Sequence, residues 1–384
     1  MTRVPLRTLA ALVLVAATGL VGWRVLAPAE VLAVASTPYP ALSLRQPGVT
    51  GRTSLAPLIV DGRLRVYAAK HQVKADAPAD GRTLYTARWS FRRWPEQLSG
   101  VTASGQTVVT RWSDGELVAL DARTGKILWR ADGPPAPDHG GHRTGAATVW
   151  DPPGLHLAPG AVVVNSGQEL AGYDVSSGAV RWQVPTATGC TDGFTTDGGV
   201  YVCATGPHDA VSGAAVPGWP TGPFTPVGCA AGTSQCAGFR DGSGQGWLAS
   251  SVVPRRAPAL DDSSATVAAG VIVSRSGGVL SAQSVDGTAL WTWSGQGRVL
   301  GGTARSVVVL APANNLVGLD AGSGAVRWAF PLAFGTESTE WKPGGYRIAG
   351  SYLAMERLNE DAPDDPESPV YYLTLDTVII AALD

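Results

Sequence analysis

The chain has 384 residues, of which 45% are hydrophobic and 13 are tryptophan, so its composition excludes an intrinsically disordered protein. Its 29 basic and 31 acidic residues give a formal net charge of −2, with no basic run that could neutralise a row of phosphates. We therefore expect no nucleic-acid partner. The 48 glycines and 28 prolines favour many short strands joined by tight turns.

The first predicted element is an apolar stretch at residues 6–26, which begins among the basic residues Arg3 and Arg7. Two interpretations remain open. A cleaved signal peptide would end at the Ala-Val-Ala sequence of residues 33–35, whereas an uncleaved transmembrane helix would use about 20 residues of span. The long distance to that cleavage site favours the helix. Residues 1–35 are therefore expected to form a membrane anchor or signal sequence with a short linker. Because basic residues stay in the cytoplasm, the rest of this single-pass cell-membrane protein is expected to be extracytoplasmic.

Four later stretches repeat one pattern, in which a short apolar strand is followed by a turn ending in Gly and by Trp four residues after that Gly. Asp stands four residues before Gly in three copies, and Gln283 takes its place in the other. The repeated residues are Asp121, Gly125 and Trp129; Asp174, Gly178 and Trp182; Gly287 and Trp291; and Asp320, Gly324 and Trp328. Internal repeats of this kind indicate supersecondary units that stack on one another.

Each copy has the chemistry of a β-hairpin. An Asp side chain accepts hydrogen bonds from backbone N–H groups ahead of it, and Gly adopts positive φ without a steric penalty. The residues after Gly then form the returning strand. We expect the Trp on that strand to place its large apolar surface between adjacent sheets.

The spacing of the copies predicts how many units the chain contains. Successive glycines are 53, 109 and 37 residues apart, so the longest interval is expected to hide one or two degenerate units. A degenerate copy of the motif is also expected from Gly81 to Tyr85. Residues 40–384 then form a single domain of seven four-stranded blades, or eight, at roughly 40–50 residues each. The strands predicted at residues 371–375 and 378–380 are expected to close a ring against residues 58–60.

The motif Asp-x-x-Thr-Gly-x-x-x-Trp, intact from Asp121 to Trp129 and varied to Asp-x-x-Ser-Gly at Asp174 and Asp320, resembles the repeat of pyrroloquinoline-quinone-like (PQQ-like) β-propeller proteins. The resemblance implies an all-β propeller of the membrane-anchored bacterial type, preceded here by one N-terminal transmembrane helix. It also implies that Gly and Trp form a docking motif between blades. It implies no particular chemistry, because the family includes quinone enzymes as well as propellers that bind no cofactor.

The four cysteines are expected to form two local disulfides. Cys190 and Cys203 are symmetric about a turn signal at residues 196–198, and Cys229 and Cys236 flank Gly232-Thr233. An oxidising compartment outside the cytoplasm would permit both bonds. Four cysteines formally allow three pairings, and buried free thiols are the alternative.

Candidate catalytic residues are hard to find in this chain. Residues 138–143, Asp-His-Gly-Gly-His-Arg, are the densest group of ligand-type side chains, but they follow a Pro-rich segment and an exposed loop is the simpler interpretation. No nucleophile motif or phosphate-binding Gly-rich loop is present. Quinone-dependent dehydrogenases of the family use calcium, an active-site acid and stacking aromatic residues, and nothing in this sequence identifies the acid or the calcium ligands. We therefore predict no catalytic residue, metal site or cofactor.

These observations predict a non-catalytic extracytoplasmic β-propeller that acts as a scaffold at the bacterial cell envelope. Its faces would bind a protein partner or a small ligand, and its N-terminal helix would bind the cytoplasmic membrane. The alternative is a PQQ-dependent oxidoreductase of sugars or alcohols, which would use PQQ and calcium.

Overall fold

The computed structural model describes residues 11–19, 22, 29–42, 46–80, 86–140, 143–186, 190, 193–204, 206–229, 235–337, 340–373 and 375–384. Within these ranges the chain is all-β, as predicted, and its strands form seven sheets. The helical elements are residues 11–19, the short helix Ala146–Trp150 and the 3-10 turn Pro258–Leu260.

Four of the sheets are antiparallel meanders of four strands in chain order. Sheet 2 consists of Leu98–Ser104, Thr107–Trp112, Leu117–Asp121 and Ile127–Ala131. Sheet 3 consists of Leu155–Ala158, Ala161–Asn165, Glu169–Asp174 and Val180–Pro185. Sheet 5 consists of Thr266–Ala268, Val271–Ser276, Val279–Ser284 and Ala289–Trp293. Sheet 6 consists of Arg298–Gly302, Ser306–Ala311, Asn315–Asp320 and Val326–Pro331.

Sheet 1 has the same meander with a fifth strand added at its outer edge. The meander consists of Leu58–Val60, Leu64–Ala69, Gln72–Ala77 and Thr86–Trp94, and the added strand is Ala29–Ala33. Ala29–Ala33 pairs antiparallel with the outer strand, so that Glu30 is opposite Arg93. This strand belongs to the segment 1–35 that the sequence sets apart as anchor and linker, and its pairing extends sheet 1.

Sheet 4 has seven strands because two antiparallel groups are joined by one short parallel pairing. The groups are Gly193–Thr196, Val200–Cys203 and Gly206–Asp209, followed by Thr225–Cys229, Gln235–Arg240, Gly246–Leu248 and Arg255–Arg256. Residues 195–196 pair in parallel with residues 235–236, which makes the two groups one sheet. Sheet 4 fills most of the long interval between Gly178 and Gly287, where degenerate units are predicted.

Sheet 7 closes the ring with strands from both ends of the chain. It consists of Lys342–Ala349, Tyr352–Leu358, Val378–Ala382 and Gly48–Thr53, and the last two pair antiparallel. Ile59 of sheet 1 packs in one apolar cluster with Tyr352 and Ile380 of sheet 7. The prediction that the C-terminal strands close the ring against residues 58–60 therefore names the wrong strand. Residues 48–53 form the hydrogen bonds with Val378–Ala382, and residues 58–60 pack beside them. Residues 371–373 form a single bridge rather than a strand.

The apolar core lies between adjacent sheets rather than in one central mass. Between sheets 2 and 3, for example, Val109, Leu117 and Trp129 pack with Val162 and Val164, and all five are buried. A strand that is covered on both faces needs apolar side chains on both, which explains why the repeats show little polar alternation.

The N-terminal segment is helical at residues 11–19. Among the described residues, no helix has the length and apolar character needed to cross a bilayer. Of the predicted anchor at residues 6–26, positions 6–10, 20, 21 and 23–26 lie outside the described ranges.

Both predicted disulfides are confirmed. Cys190 is bonded to Cys203, and Cys229 is bonded to Cys236. The first bond joins the two sides of the hairpin made by Gly193–Thr196 and Val200–Cys203, and the second joins two adjacent strands of the same sheet. Each bond is local in sequence, so each stabilises one hairpin of sheet 4.

Two buried polar side chains lie where sheet 3 meets its neighbours, Arg111 on the side of sheet 2 and His156 on the side of sheet 4. Arg111 is fully buried and donates hydrogen bonds to the carbonyl oxygens of residues 134, 135, 153, 154 and 165. Burial lowers the pKa of Arg111 to about 10. His156 packs against Tyr201 with ring centroids 5.2 Å apart, and burial, reinforced by the charge of Arg111, lowers the pKa of His156 to about 4.

We predict that His156 makes the protein sensitive to acid. The unfolded chain binds a proton at this imidazole below about pH 6.5, whereas the folded chain binds it only near pH 4. The free energy of unfolding should therefore fall as the pH falls through this window, by at most about 3 kcal/mol. Urea unfolding between pH 7.5 and 4 should show a shallower pH dependence in His156→Gln. The half-buried His208→Gln is the control, and equal slopes in wild type and His156→Gln would contradict the prediction.

Candidate functional site

The repeated Trp and Gly residues meet between sheets. Trp129 of sheet 2 lies over Gly178 of sheet 3, where a Cβ atom on the glycine would be 2.4 Å from Cε3 of the indole. Trp129 Nε1 donates a hydrogen bond of 3.0 Å to the carbonyl oxygen of Val175. We call this pair of interactions the docking contact: an indole covers a glycine of the next sheet and bonds the carbonyl three residues before it.

The docking contact occurs at four seams with the same geometry. The Trp and Gly pairs are Trp89 with Gly125, Trp129 with Gly178, Trp182 with Gly213, and Trp291 with Gly324. The corresponding carbonyl acceptors are those of Ala122, Val175, Ala210 and Ala321, at 2.8, 3.0, 3.0 and 2.8 Å. Each indole is thus both packed and hydrogen-bonded, as a buried Trp requires.

The turn before each docking glycine is built by the repeated Asp. The Gly178 N–H bonds the backbone oxygen of Asp174 at 2.8 Å, and the Asp174 carboxylate accepts from the N–H groups of Ser176 and Ser177. Arg181 and these turn hydrogen bonds lower the pKa of the Asp174 carboxyl. Gly178 has φ +71°, a conformation that a residue with a Cβ rarely adopts.

Two docking residues are missing from the sequence prediction. Trp89 makes the contact for sheet 1, and the degenerate copy predicted from Gly81 to Tyr85 lies outside the described residues. Gly213 receives Trp182, and it ends the turn Asp209-Ala-Val-Ser-Gly213, which matches Asp-x-x-Ser-Gly. That turn could have been found from its own pattern, but Pro217 stands where the following Trp is expected.

Two predicted residues are in different surroundings. A Cβ atom on Gly287 would have no neighbour within 4 Å, and the Gly287 N–H bonds Ser284, three residues back rather than four. Arg255 of sheet 4 instead reaches this turn through the carbonyl oxygen of Val285, at 3.0 Å. Trp328 donates to the carboxylate of Asp384, at 3.1 Å, and has no docking glycine among the described residues.

A segment between sheets 2 and 3 crosses toward sheets 1 and 7. Trp150, at the end of helix Ala146–Trp150, donates from Nε1 to the carbonyl oxygen of Pro57 at 2.9 Å. Arg347 donates to the carbonyl oxygens of Val149 and Trp150, both at 3.2 Å. Thr144 donates to the buried carboxylate of Glu356 at 2.5 Å. These bonds tie sheets that are distant in sequence to a single short helix.

In the candidate metal loop at residues 138–143, the described imidazole of His139 contacts a backbone carbonyl and a hydroxyl. The Nδ1 atom of His139 is 2.9 Å from the carbonyl oxygen of Leu98 and 3.3 Å from the Thr148 hydroxyl. The second imidazole, His142, is outside the described ranges. In the described part of the chain, no three His, Cys, Asp or Glu side chains are grouped in a way that could hold a metal ion.

A cavity of about 680 Å³ opens between the first strands of sheets 5, 6 and 7 and the second group of sheet 4. Asp151, directly after helix Ala146–Trp150, also lines it. Its other polar lining residues are Ser263, Ser264, Thr266, Ser274, Arg275, Arg298 and Tyr346. The Arg298 guanidinium lies over the Tyr346 ring, 5.5 Å from the centroid, and burial raises the pKa of Tyr346 while Arg298 opposes this. We call this space the axial cavity.

The outer rim of the ring carries exposed apolar side chains close to the repeated Trp residues. Leu128, Val180, Leu290 and Val326 lie one or two residues before the repeated Trp and are 39–55% exposed. Each is on the outermost strand of its sheet. The rim therefore combines apolar side chains with strand edges, and sheet 1 is the one whose edge is covered by Ala29–Ala33.

We predict that alanine at Gly178 and at Gly287 will have unequal effects. Both positions have positive φ, so both variants carry similar backbone strain. Gly178→Ala also drives a methyl group into the indole of Trp129, and should cost roughly 2 kcal/mol more than Gly287→Ala. Denaturant unfolding of both variants measures the difference. Equal losses would mean that the docking contact does not constrain the glycine.

Comparison with known proteins gives two sequence matches. The family model described as outer membrane protein assembly factor BamB matches residues 10–193. The dehydrogenase subunit of a quinone alcohol dehydrogenase from Komagataeibacter europaeus is 30% identical over 150 residues. That match covers 34% of this chain and 19% of the relative, so the chain spans about a fifth of the length of the curated relative.

Similar solved structures include BamB from Moraxella catarrhalis, at 15% identity and a TM-score of 0.37, covering 90% of this chain and 100% of that one. The C-terminal WD40 domain of Sif2 has 10% identity and a TM-score of 0.46, with coverage of 89% and 99%.

Each copy of the motif has the same offset from Gly to Trp, Trp and Gly residues of this kind meet between consecutive sheets, and the ring is closed by pairing of its two ends. Together with the two sequence matches, these observations support a PQQ-like β-propeller repeat protein.

Proposed function

We propose that this propeller is a non-catalytic, extracytoplasmic protein-interaction scaffold of the bacterial cell envelope. The observation that carries the proposal is the strand Ala29–Ala33 on the edge of sheet 1. An extended segment is bound there through backbone hydrogen bonds, with Val31 and Leu32 still 58% and 38% exposed. The same kind of edge, with an exposed apolar side chain, lies on sheets 2, 3, 5 and 6. A partner that contributes an extended segment would bind such an edge by strand addition.

The rigidity of the ring supports a scaffold. Docking contacts and the bonds of helix Ala146–Trp150 fix the sheets relative to one another, and the two disulfides stabilise the hairpins of sheet 4. A rigid surface loses little conformational entropy when it binds a partner. For the ring itself we propose eight blades, with the two groups of sheet 4 counted separately.

The extracytoplasmic location is part of the proposal. Two disulfides suit an oxidising compartment, and the family model is described as an outer membrane protein assembly factor. We also propose that the apolar stretch at residues 6–26 anchors the protein in the membrane, with Arg3 and Arg7 on the cytoplasmic side.

We predict that a photo-crosslinking residue on the rim will capture a partner. The cross-linker replaces Val180 or Val326 in cells of the source bacterium, because these side chains lie at free strand edges and are more than half exposed. One adduct of defined mass is expected. The control replaces Ser276, an exposed residue at the end of an inner strand of sheet 5, and should give no such adduct. Adducts at Ser276 alone, or at none of the three positions, would contradict strand addition at the rim.

The second candidate function is quinone-dependent oxidation of sugars or alcohols, which the match to the Komagataeibacter europaeus subunit favours. The axial cavity does not fit calcium, because Asp151 is the one carboxylate among its described lining residues and calcium takes six to eight oxygen ligands. Tyr346 is the one aromatic side chain in that described lining, and Arg298 covers a face of its ring.

We predict that the purified full-length chain, titrated with PQQ and calcium, will show neither a change in quinone absorbance nor dye reduction with sugars or alcohols. The physical reason is that the described cavity lining offers neither a carboxylate set for the ion nor a free ring for stacking. A quinoprotein dehydrogenase assayed in parallel verifies the cofactor and the dye. Tight quinone binding with turnover would make the oxidoreductase function correct and the scaffold function wrong.

A further inference from the structure

The axial cavity has the size and lining of a small-molecule site. Its volume of about 680 Å³ is within the range of ligand pockets, and residues from four sheets line it. The cavity is separate from the rim, so a ligand bound in it is independent of the protein partner proposed for the strand edges.

The charged groups of the cavity are not equally available to a ligand. Arg275 donates to the carbonyl oxygens of Gly278, at 2.9 Å, and of Gly297, and so serves the backbone. Arg298 makes neither a hydrogen bond nor an ion pair with any residue that the structure describes; its contact is the Tyr346 ring. The Asp151 carboxylate interacts electrostatically with Arg347 of sheet 7. Its charge is therefore already engaged with a residue of the protein. Arg298 is thus the lining cation whose hydrogen-bond donors are not used by the described residues.

The remaining polar groups are hydroxyls. Ser263, Thr266, Ser274 and Tyr346 line the cavity, and their hydroxyl groups make no hydrogen bond within the described part of the chain. Ser264 is different, because its hydroxyl bonds the backbone of Arg275 at 3.1 Å. A guanidinium with five donors is suited to an oxyanion, and neighbouring hydroxyls are suited to a ligand that itself carries hydroxyls.

The shape of the lining argues against a flat aromatic ligand. Tyr346 supplies the one aromatic ring among the described lining residues, and the Arg298 guanidinium already covers one face of it. Stacking on that face would displace the guanidinium. A polyhydroxylated, non-planar ligand can instead keep Arg298 in place and bond to its edge.

We infer that the axial cavity binds a small hydroxylated acid, such as a sugar acid or a sugar phosphate, whose oxyanion is held by Arg298 and whose hydroxyls contact Ser263, Thr266 and Tyr346. Carboxylate and phosphate share this chemistry, and both sources are tested separately. Binding is a reversible association that changes no covalent bond.

The test is calorimetric titration of the full-length protein with D-glucuronate, D-glucose 6-phosphate and D-glucose, which share one ring and differ in the anion. At least one of the two acids should bind, and D-glucose should bind roughly tenfold more weakly or not at all, because it lacks the charge-assisted hydrogen bonds. Which acid binds more tightly identifies the oxyanion. Equal affinity for D-glucose and both acids, or no binding of either acid at 10 mM (roughly the weakest useful affinity for a single site), overturns the inference.

Two variants locate the site. Arg298→Gln should weaken binding of the preferred acid roughly tenfold or more, whereas Arg305→Gln, an exposed arginine of the same sheet outside the cavity, should leave it unchanged. Tyr346→Phe keeps the ring beneath Arg298 and removes one hydroxyl, so a smaller loss of affinity for the acid is expected. This variant provides a test even if Arg298→Gln folds poorly. Unchanged affinity in both Arg298→Gln and Tyr346→Phe would mean that the acid binds elsewhere, and the inference would be wrong.

Discussion

The ring depends on one requirement of the indole side chain, which needs a flat apolar surface and an acceptor for its N–H at the same place. The turn that ends at Gly178 supplies both, because a residue without Cβ lets Trp129 lie on the backbone and the carbonyl of Val175 points at Nε1. A Trp that lacked either partner would leave a cavity or a buried unsatisfied N–H. The same requirement is met at three other seams, so consecutive sheets adopt the same relative placement.

Where this contact is absent, other interactions hold the ring. Between sheets 4 and 5 no Trp of the described residues covers Gly287, and Arg255 reaches the carbonyl of Val285 instead. Sheet 4 itself is joined by parallel pairing and carries both disulfides. At the end of the chain Trp328 bonds the carboxylate of Asp384. The axial cavity is lined by sheets 4 to 7, the half of the ring in which the regular contact is least complete.

Much of the fold could be predicted from the repeats, and the errors have a common cause. The hairpin turns at Asp121, Asp174 and Asp320 are local, and both disulfides connect residues of one hairpin or of neighbouring strands. Trp89 and Gly213 were missed because each lacks the second residue of its own repeat: Tyr85 stands where Gly is expected before Trp89, and Pro217 stands where Trp is expected after Gly213. Each nevertheless keeps its docking partner in the neighbouring sheet. The axial cavity was not predicted at all, since its lining residues are spread from position 151 to position 346 and share no pattern.

By itself the sequence determined what is decided within about ten residues: the all-β class, the Asp-to-Gly turns, the strand that carries each Trp and the pairing of the cysteines. Tertiary structure alone decided that Gly48–Thr53 completes sheet 7, that Ala29–Ala33 covers the edge of sheet 1, and that Arg298 faces Tyr346 in the cavity. The physical reason is distance along the chain. A turn is fixed by the conformational preferences of its own residues, whereas ring closure and cavity lining depend on which surfaces remain once all sheets have packed.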